Sequence, residues 1–154
     1  MPVLQIHLTR DCHPPQQIET LLLRCSEHFA SVLACPVDRI RVYAVEHAPE
    51  RSSIGGKLVS QGGTPAPYFS FVLLQGRSDE SKRQLMVGFT DLIEQILAVP
   101  RSVIRGGIVP VAPEEWCIAG VPASEARQAE IEARRRLAAA GASDAAADAA
   151  AGGR

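Results

Sequence analysis

The sequence predicts an α+β fold in which tandem β-α-β units form a four-stranded sheet with two helices on one face. Its 154 residues, 46% of them hydrophobic, match the size of one ordinary domain with a substantial core. The order strand, helix, strand occurs twice, and the two occurrences can be aligned residue by residue. Because crossovers between parallel strands have a fixed right hand, both helices are expected on the same side of the sheet.

The first unit begins close to the amino terminus. Residues 3–8, VLQIHL, alternate loosely as a strand does, and RDCHPP then supplies turn residues and a proline start for a helix. A helix is predicted over residues 16–34 because apolar residues recur there at spacings of three and four. This stripe consists of Ile18, Leu21, Leu22, Cys25, Phe29, Val32 and Leu33. Residues 39–45, RIRVYAV, are rich in β-branched and aromatic residues and are predicted as the parallel second strand.

The second unit has the same order of elements, after the turn-rich segment SQGGTPAP. We predict a strand in YFSFVLL from Tyr68, a helix over residues 79–99 and a strand over residues 103–111. The inward positions of the helix are Leu85, Phe89, Leu92, Ile93 and Ile96. The sheet formed by both units has one face without helices. We expect that face to be apolar and to drive self-association.

A constant offset between the two halves indicates an internal duplication. Pro2 aligns with Pro67 and Cys12 with Arg77, both 65 residues apart. After one deleted residue the offset becomes 64. The pairs at this offset are Pro36 with Pro100, Arg41 with Arg105, Ser52 with Trp116, and Ile54 with Ile118.

Composition excludes several classes of partner and site. A net charge of −1 provides no field for nucleic acid or an anionic membrane, so small molecules and proteins are the expected partners. No apolar run reaches the roughly 18 residues of a membrane span, and the start lacks the features of a signal peptide, so we expect a cytoplasmic protein. The four cysteines form no C-x-x-C pair, and no metal-binding or nucleotide-binding motif is present. We therefore expect neither a metal nor an organic cofactor.

The carboxyl-terminal segment has a different composition. We expect a single domain over residues 1–127, built from repeats at residues 2–60 and 67–124. Residues 128–154 are predicted as a polar helix extension followed by a disordered tail rich in alanine and glycine, because this tail has almost nothing to bury.

Three segments carry a resemblance to a known family: PVLQIHL at the amino terminus, then QGRSDESKR and EEWCIAGVPASE. Together they resemble the tautomerase superfamily built around 4-oxalocrotonate tautomerase, over roughly residues 2–127. Two units in one chain are similar to the fused members, such as cis-3-chloroacrylic acid dehalogenase, which assemble as trimers. The resemblance implies a cofactor-free isomerase, namely a keto-enol tautomerase, that forms a homotrimer.

Pro2 is the candidate catalytic residue. A proline at this position can be a strand-edge residue, part of a flexible leader, or, once Met1 is removed, a free secondary amine. The resemblance implies the third interpretation, with Pro2 as general base. An apolar site and neighbouring cations lower the pKa of such an amine toward neutrality. Pro67 is an internal amide without a basic lone pair, so only one of the two equivalent positions can hold a proline base.

The resemblance also implies substrate-binding residues. Family members use an arginine after the first strand, an arginine in the second strand and an aromatic residue near the end of the unit. The second half keeps these as Arg77, Arg105 and Trp116, whereas the first half keeps only Arg41. A guanidinium binds a carboxylate in a bidentate pair, and a second cation stabilises an enolate oxygen. Ordinary structural roles stay open as well, namely a loop arginine for Arg77 and core or interface packing for Trp116. Arg41 and Arg105 lie in strands that we expect to be largely buried, where an unpaired arginine is costly, which favours a function for both.

Three functions stay open on the sequence alone. The leading one is tautomerisation of 2-hydroxydienoates or enolpyruvate-type carboxylates. The second is a hydratase or dehalogenase of 3-haloacrylates, for which His28 is the weak candidate to activate water, although a helical histidine is more often structural. The third is a catalytically silent trimeric scaffold that retains the fold alone.

Overall fold

The computed structural model describes residues 2–137 and residue 139. The tail predicted as disordered, beyond Gly141, therefore lies outside the described residues, as does Met1. Two compact units are distinguished. The first takes the described residues up to Leu73 together with Asp79–Pro110, and the second takes Leu74–Ser78 with the described residues from Val111 onward. No helix within the described part of the chain is long and apolar enough to cross a membrane.

Strands and helices follow the order that the sequence predicts. The elements are β1 (Val3–Thr9), α1 (Pro15–Leu33), β2 (Arg41–His47), β3 (Ser53–Ile54), β4 (Lys57–Leu58), β5 (Tyr68–Leu74), α2 (Asp79–Leu97), β6 (Arg105–Val111), β7 (Cys117–Ile118), β8 (Val121–Pro122) and α3 (Ala123–Ala126). The chain is helical again over residues 128–137. The pairs β3–β4 and β7–β8 form two small antiparallel hairpins.

The main sheet has the strand order β2-β1-β5-β6. Strand β1 runs parallel to β2 and antiparallel to β5, so the two β-α-β units meet at the centre of the sheet. The predicted α+β fold with a four-stranded sheet is confirmed. Helices α1 and α2 pack against each other through one shared core.

The core lies between the helices and one face of the sheet. On β1 and β5 alternate residues are buried, as the period of two requires. They pack on the apolar stripes of both helices around four phenylalanines, Phe29, Phe69, Phe71 and Phe89. The Phe89 ring meets the other three in edge-to-face contacts, with centroids 5.1 to 5.9 Å apart. Burial of one such ring stabilises the fold by about 1.5–3 kcal/mol.

The face of the sheet without helices is mixed, and the expectation of an apolar face is wrong. Its side chains come from the strand positions that alternate with the core positions. Central rows of this face contain Val3 beside Arg41, Gln5 between Tyr43 and Ser70, and His7 beside Val45 and Tyr68. The sequence did not indicate a mixed face, because the strands contain many apolar residues overall. In the structure these apolar residues are concentrated on the side of the sheet that packs on the helices.

Both edge strands begin later than the sequence pattern suggests. A single 3₁₀ turn at Val37–Arg39 precedes β2, and an equivalent turn at Arg101–Val103 precedes β6. Helix α2 ends at Leu97 because Ala98 takes a left-handed conformation with φ of 53°. Ala34 ends α1 in the same way, with φ of 49°.

The backbone repeats itself at the offset read from the sequence. Positive φ angles recur 64 residues apart at Gly55 and Ala119, and at Gly56 and Gly120. The buried residues of the two helices also correspond at an offset of 64, whereas those of β1 and β5 correspond at 65. The deleted residue therefore belongs to the loop between the first strand and the helix of each unit.

Candidate active site

Pro2 and Pro67 occupy equivalent positions at the starts of the two central strands. The carbonyl oxygen of Pro2 accepts a hydrogen bond of 3.2 Å from the backbone N–H of Arg41. That of Pro67 accepts one of the same length from the N–H of Arg105. Pro2 is half-buried, whereas Pro67 is buried. Each unit thus holds its proline against the first residue of its own edge strand.

The two strand arginines make equivalent side-chain hydrogen bonds to nearby carbonyl oxygens. Nη1 of Arg41 donates to the carbonyl oxygens of Asp38 and Ile40, both at 2.8 Å. Arg41 and Arg105 are both exposed, in contrast to the expectation that their strands are largely buried. Each begins an edge strand immediately after a 3₁₀ turn, and the carbonyls of that turn orient the guanidinium at the surface.

Pro2 and Arg105 lie at opposite ends of the sheet. Because β1 and β5 are antiparallel, Val3 pairs with Val72 at one end and His7 pairs with Tyr68 at the other. Arg105 lies beside Pro67 at the second end. The row of Val3 and the row of His7 are about 13 Å apart along the strands. One chain therefore brings Pro2 next to Arg41 and does not bring it next to Arg105.

Arg77 and Trp116 both belong to the second β-α-β repeat of the chain. Arg77 is half-buried in the loop after β5, where Gly76 has φ of 86°. Trp116 follows the 3₁₀ turn Pro113–Glu115, and its carbonyl oxygen accepts a hydrogen bond of 2.8 Å from the N–H of Ala123. Its indole Nε1 is buried and has no hydrogen-bond partner among residues 2–137 and 139. Trp116 is only half-buried, so part of its ring is open to a ligand or another chain.

His28 lies between the two helices. Its Nε2 is 3.2 Å from the carbonyl oxygen of Gln84, and its ring meets the edge of Phe89 at 5.5 Å between centroids. The imidazole also covers Gly88, where a Cβ atom would collide with Nε2. These contacts fit the structural interpretation of His28, because they fix the spacing of α1 and α2.

The four cysteines of the sequence are free thiols. Cys25 is buried in the core, and burial raises the pKa of its thiol to about 12. It therefore stays protonated and unreactive at neutral pH. Cys12, the counterpart of Arg77 in the first half, is exposed.

A second polar cluster was not indicated by the sequence pattern. His7 Nδ1 lies 2.8 Å from His47 Nε2, and the ring of Tyr68 lies 5.5 Å from that of His7. They line a pocket of about 290 Å³ together with Arg51. The only sequence signal for this cluster is that each of the three occupies a strand position on the face without helices. That signal needs the strand register, which the sequence alone did not provide.

Comparison with known proteins agrees with the fold and the duplication. A family model described as tautomerase enzyme matches residues 67–126. The 2-hydroxymuconate tautomerase of Comamonas testosteroni is 34% identical over 59 residues, which cover 38% of this chain and 94% of that protein. The chain belongs to the tautomerase family.

Two solved structures share the fold over most of the chain. One is a fused 4-OT, a wild-type asymmetric trimer, with a TM-score of 0.73 and 22% identity over 80% of this chain and 97% of that chain. The other is a protein inactivated by 2-oxo-3-pentynoate, with a TM-score of 0.73 and 19% identity over the same shares. The family model matches only the second half, which is the half that keeps Arg77, Arg105 and Trp116.

Proposed function

We propose that this protein is a cofactor-free keto-enol tautomerase in which Pro2, freed by removal of Met1, is the general base. Its substrates are 2-hydroxydienoate or enolpyruvate-type carboxylates. The observation that carries the proposal is the placement of Pro2, half-buried at the start of a central strand with its carbonyl held by Arg41. The 2-hydroxymuconate tautomerase among its relatives supports this substrate class.

The reaction transfers one proton through the Pro2 nitrogen. The neutral amine takes the proton of the substrate 2-hydroxyl, C2–O becomes a carbonyl, and the conjugated double bonds shift toward the far end of the chain. The resulting ammonium returns its proton to the carbon where the electron pair arrives. No atom is gained or lost, and the amine is regenerated. An α-amino group has an ordinary pKa near 7.7–8.0, so a modest decrease makes both forms available at neutral pH.

Arginines complete the proposed site. We assign Arg77 and Arg105, with Arg41 beside Pro2, to the carboxylate and to the negative charge that develops on the 2-oxygen. Trp116 forms an apolar wall that disfavours the protonated amine. Since Pro2 and Arg105 lie at opposite ends of one sheet, a site that uses both takes them from different chains.

A homotrimer meets this requirement, and a related fused 4-OT is a trimer. The mixed face of the sheet supplies exposed apolar side chains for the contact between chains, including Tyr43. The proposed water-activating role of His28 draws no support from its contacts with Gln84 and Phe89. We therefore prefer tautomerisation to hydration or dehalogenation.

Covalent labelling tests the proposed base. An alkynyl ketoacid such as 2-oxo-3-pentynoate accepts a free amine by conjugate addition, which forms a nitrogen–carbon bond at the alkyne and moves the amine proton to the adjacent carbon. We expect one adduct per chain, located at Pro2 by peptide mass spectrometry, together with loss of tautomerase activity. An adduct elsewhere, or a retained Met1 in active protein, would contradict the proposal. A Pro67→Ala variant is the matched control and should be labelled like the wild type.

A further inference from the structure

None of the residues that line the pocket of about 290 Å³ is assigned to the tautomerase reaction, although Arg105 begins its strand at the same end of the sheet. This pocket lies at the Pro67 end of the sheet. Its lining comprises His7, Leu8, Thr9, His47, Arg51, Ser52, Ser53, Ile54, Ala66 and Tyr68. Most of its polar groups therefore come from the ends of β1 and β2 and from the 3₁₀ turn that follows β2. This volume accommodates a small organic acid.

The two histidines form one hydrogen-bonded unit. Their ring planes differ by 9° and their centroids are 5.1 Å apart, while the bonded nitrogens are only 2.8 Å apart. In rings stacked face to face, the distance between nitrogens is close to the distance between centroids. Here the nitrogens are much closer than the centroids, so the two imidazoles lie end to end in nearly one plane. One proton is shared along the line from His7 Nδ1 to His47 Nε2. The neutral pair carries two N–H protons, and a third proton on an outer ring nitrogen gives it a positive charge without breaking this hydrogen bond.

Charged and hydroxyl groups converge on the same pocket. Arg51 contributes a guanidinium, and Tyr68, Ser52 and Ser53 contribute hydroxyl groups. His47 and Arg51 also line a neighbouring depression, together with Arg10, Glu46 and Glu50. The pocket itself has no carboxylate in its lining, so its charged and polar groups favour an anion.

The internal duplication shows that His7, His47 and Arg51 are not repeated in the second half. At the offsets of 64 and 65, the counterparts of His7 and His47 are Val72 and Val111. The counterpart of Arg51 is Glu115. The pocket borders the residues on either side of Pro67, the counterpart of Pro2, but its two histidines and its arginine are not repeated in the other half of the chain. Pro67, whose nitrogen is an amide, provides no base at this end of the sheet.

We propose that this pocket is a second ligand site, which binds a small carboxylate through Arg51 and the His7–His47 pair. The guanidinium contacts the carboxylate, and the histidine pair and serine hydroxyls donate hydrogen bonds to its oxygens. Tyr68 closes the side toward β5. The site binds without tautomerising its ligand, because Pro67 has no free amine.

Histidine NMR with trans,trans-muconate tests this site. This dicarboxylate has no 2-hydroxyl and cannot tautomerise, so binding is observed without turnover. We expect saturable shifts of the His7 and His47 ring signals, assigned with His7→Gln and His47→Gln variants. The shifts should persist in Pro2→Ala, which separates this site from the proposed catalytic one. Arg51→Gln should weaken the binding at least tenfold, whereas Arg83→Gln, on the exposed side of α2, should leave it unchanged.

Two results would overturn the second site. One is the absence of saturable shifts at both histidines when muconate is added to the folded wild type. The other is binding that Arg51→Gln and Arg83→Gln affect equally, because the guanidinium in the pocket would then have no specific role. Folding of each variant is checked by the dispersion of its backbone amide signals.

Discussion

Arg41 and Arg105, 64 residues apart, make the same pair of hydrogen bonds. Each donates from Nη1 to the carbonyl of the preceding residue and to that of the residue three positions earlier, at 2.7–2.8 Å. Each also donates its backbone N–H to a proline carbonyl at 3.2 Å. The two halves have therefore kept one framework for the arginine. The two halves differ in the chemistry of the proline nitrogen. Removal of Met1 leaves a free amine at Pro2, whereas the nitrogen of Pro67 is an amide within the chain.

The proposed binding arginines Arg77 and Arg105 are expected to affect turnover more than two first-half residues, Cys12 and Ser52, which stand where the second half has Arg77 and Trp116. A lost charge-assisted hydrogen bond costs about 1.5–3 kcal/mol, which is roughly a 10-fold to 150-fold loss in kcat/KM. Arg77→Ala and Arg105→Ala should each show this loss with 2-hydroxymuconate. Cys12→Ala and Ser52→Ala are the matched controls and should stay within a few-fold of the wild type. Equal effects in all four variants would show that the second half does not supply the binding residues.

The two adjacent glycines of β6 are expected to differ in their tolerance of a side chain. A Cβ at Gly106 would collide with the end of the Phe69 ring, which is fixed in the core, whereas a Cβ at Gly107 meets nothing within 4 Å. Gly106→Ala should therefore lower the free energy of unfolding by about 1–3 kcal/mol. Gly107→Ala should be neutral or slightly stabilising, because the added methyl group has space and reduces the backbone freedom of the unfolded chain. Urea denaturation compares the two, and equal effects would contradict the packing described for Phe69.

Stability is expected to decrease in mildly acidic solution partly because of His7. Burial and the neighbouring His47 lower the pKa of His7 below its ordinary value of 6.5. The unfolded chain then binds a proton at a higher pH than the folded chain does. The contribution of His7 is therefore present above pH 6.5 and is lost as pH falls through its lower folded pKa.

Denaturation midpoints of wild type and His7→Gln, measured between pH 7.5 and 5, test this linkage. The variant should lose less stability over this range than the wild type does. Ser70→Ala, a change on the same face of the sheet without a titratable group, should retain the wild-type dependence. The linkage is refuted if His7→Gln and the wild type lose the same amount.

A homotrimer is expected in solution. Exposed apolar side chains on the mixed face of the sheet, such as Tyr43 at 50% exposure, become buried between chains. Light scattering at micromolar concentration should give a mass near three times the 16.5 kDa of the chain. A monomer would exclude a site that combines Pro2 and Arg105 from different chains. A dimer would exclude the stoichiometry taken from the fused 4-OT.

The fold was largely readable from the sequence because local patterns determine it. The apolar stripe of α1 and the alternating pattern of β1 each determine which face of the element is buried. The constant offset between the two halves then shows that the β-α-β repeat occurs twice. The starts of β2 and β6 were misplaced by two residues, because the 3₁₀ turns at Val37–Arg39 and Arg101–Val103 have no strong sequence signature.

The sites were less readable, because their residues come together only through strand register. The pairing of His7 with Tyr68 brings the ends of β1 and β5 together, and nothing local to either strand predicts it. The same pairing separates Pro2 from Arg105 within one chain. Exposure of Arg41 was likewise missed, because composition does not reveal that β2 is an edge strand.

The matched pair Pro2→Ala and Pro67→Ala, assayed for kcat/KM with 2-hydroxymuconate on protein of confirmed amino terminus, tests the central claim most directly. General-base catalysis contributes about 10²-fold to 10⁴-fold, so Pro2→Ala should lose activity on that scale. Pro67→Ala should stay within a few-fold of the wild type, since its nitrogen is an amide in the chain. Activity of folded Pro2→Ala within a few-fold of the wild type, or equal losses in both variants, would contradict the assignment of Pro2 as the base.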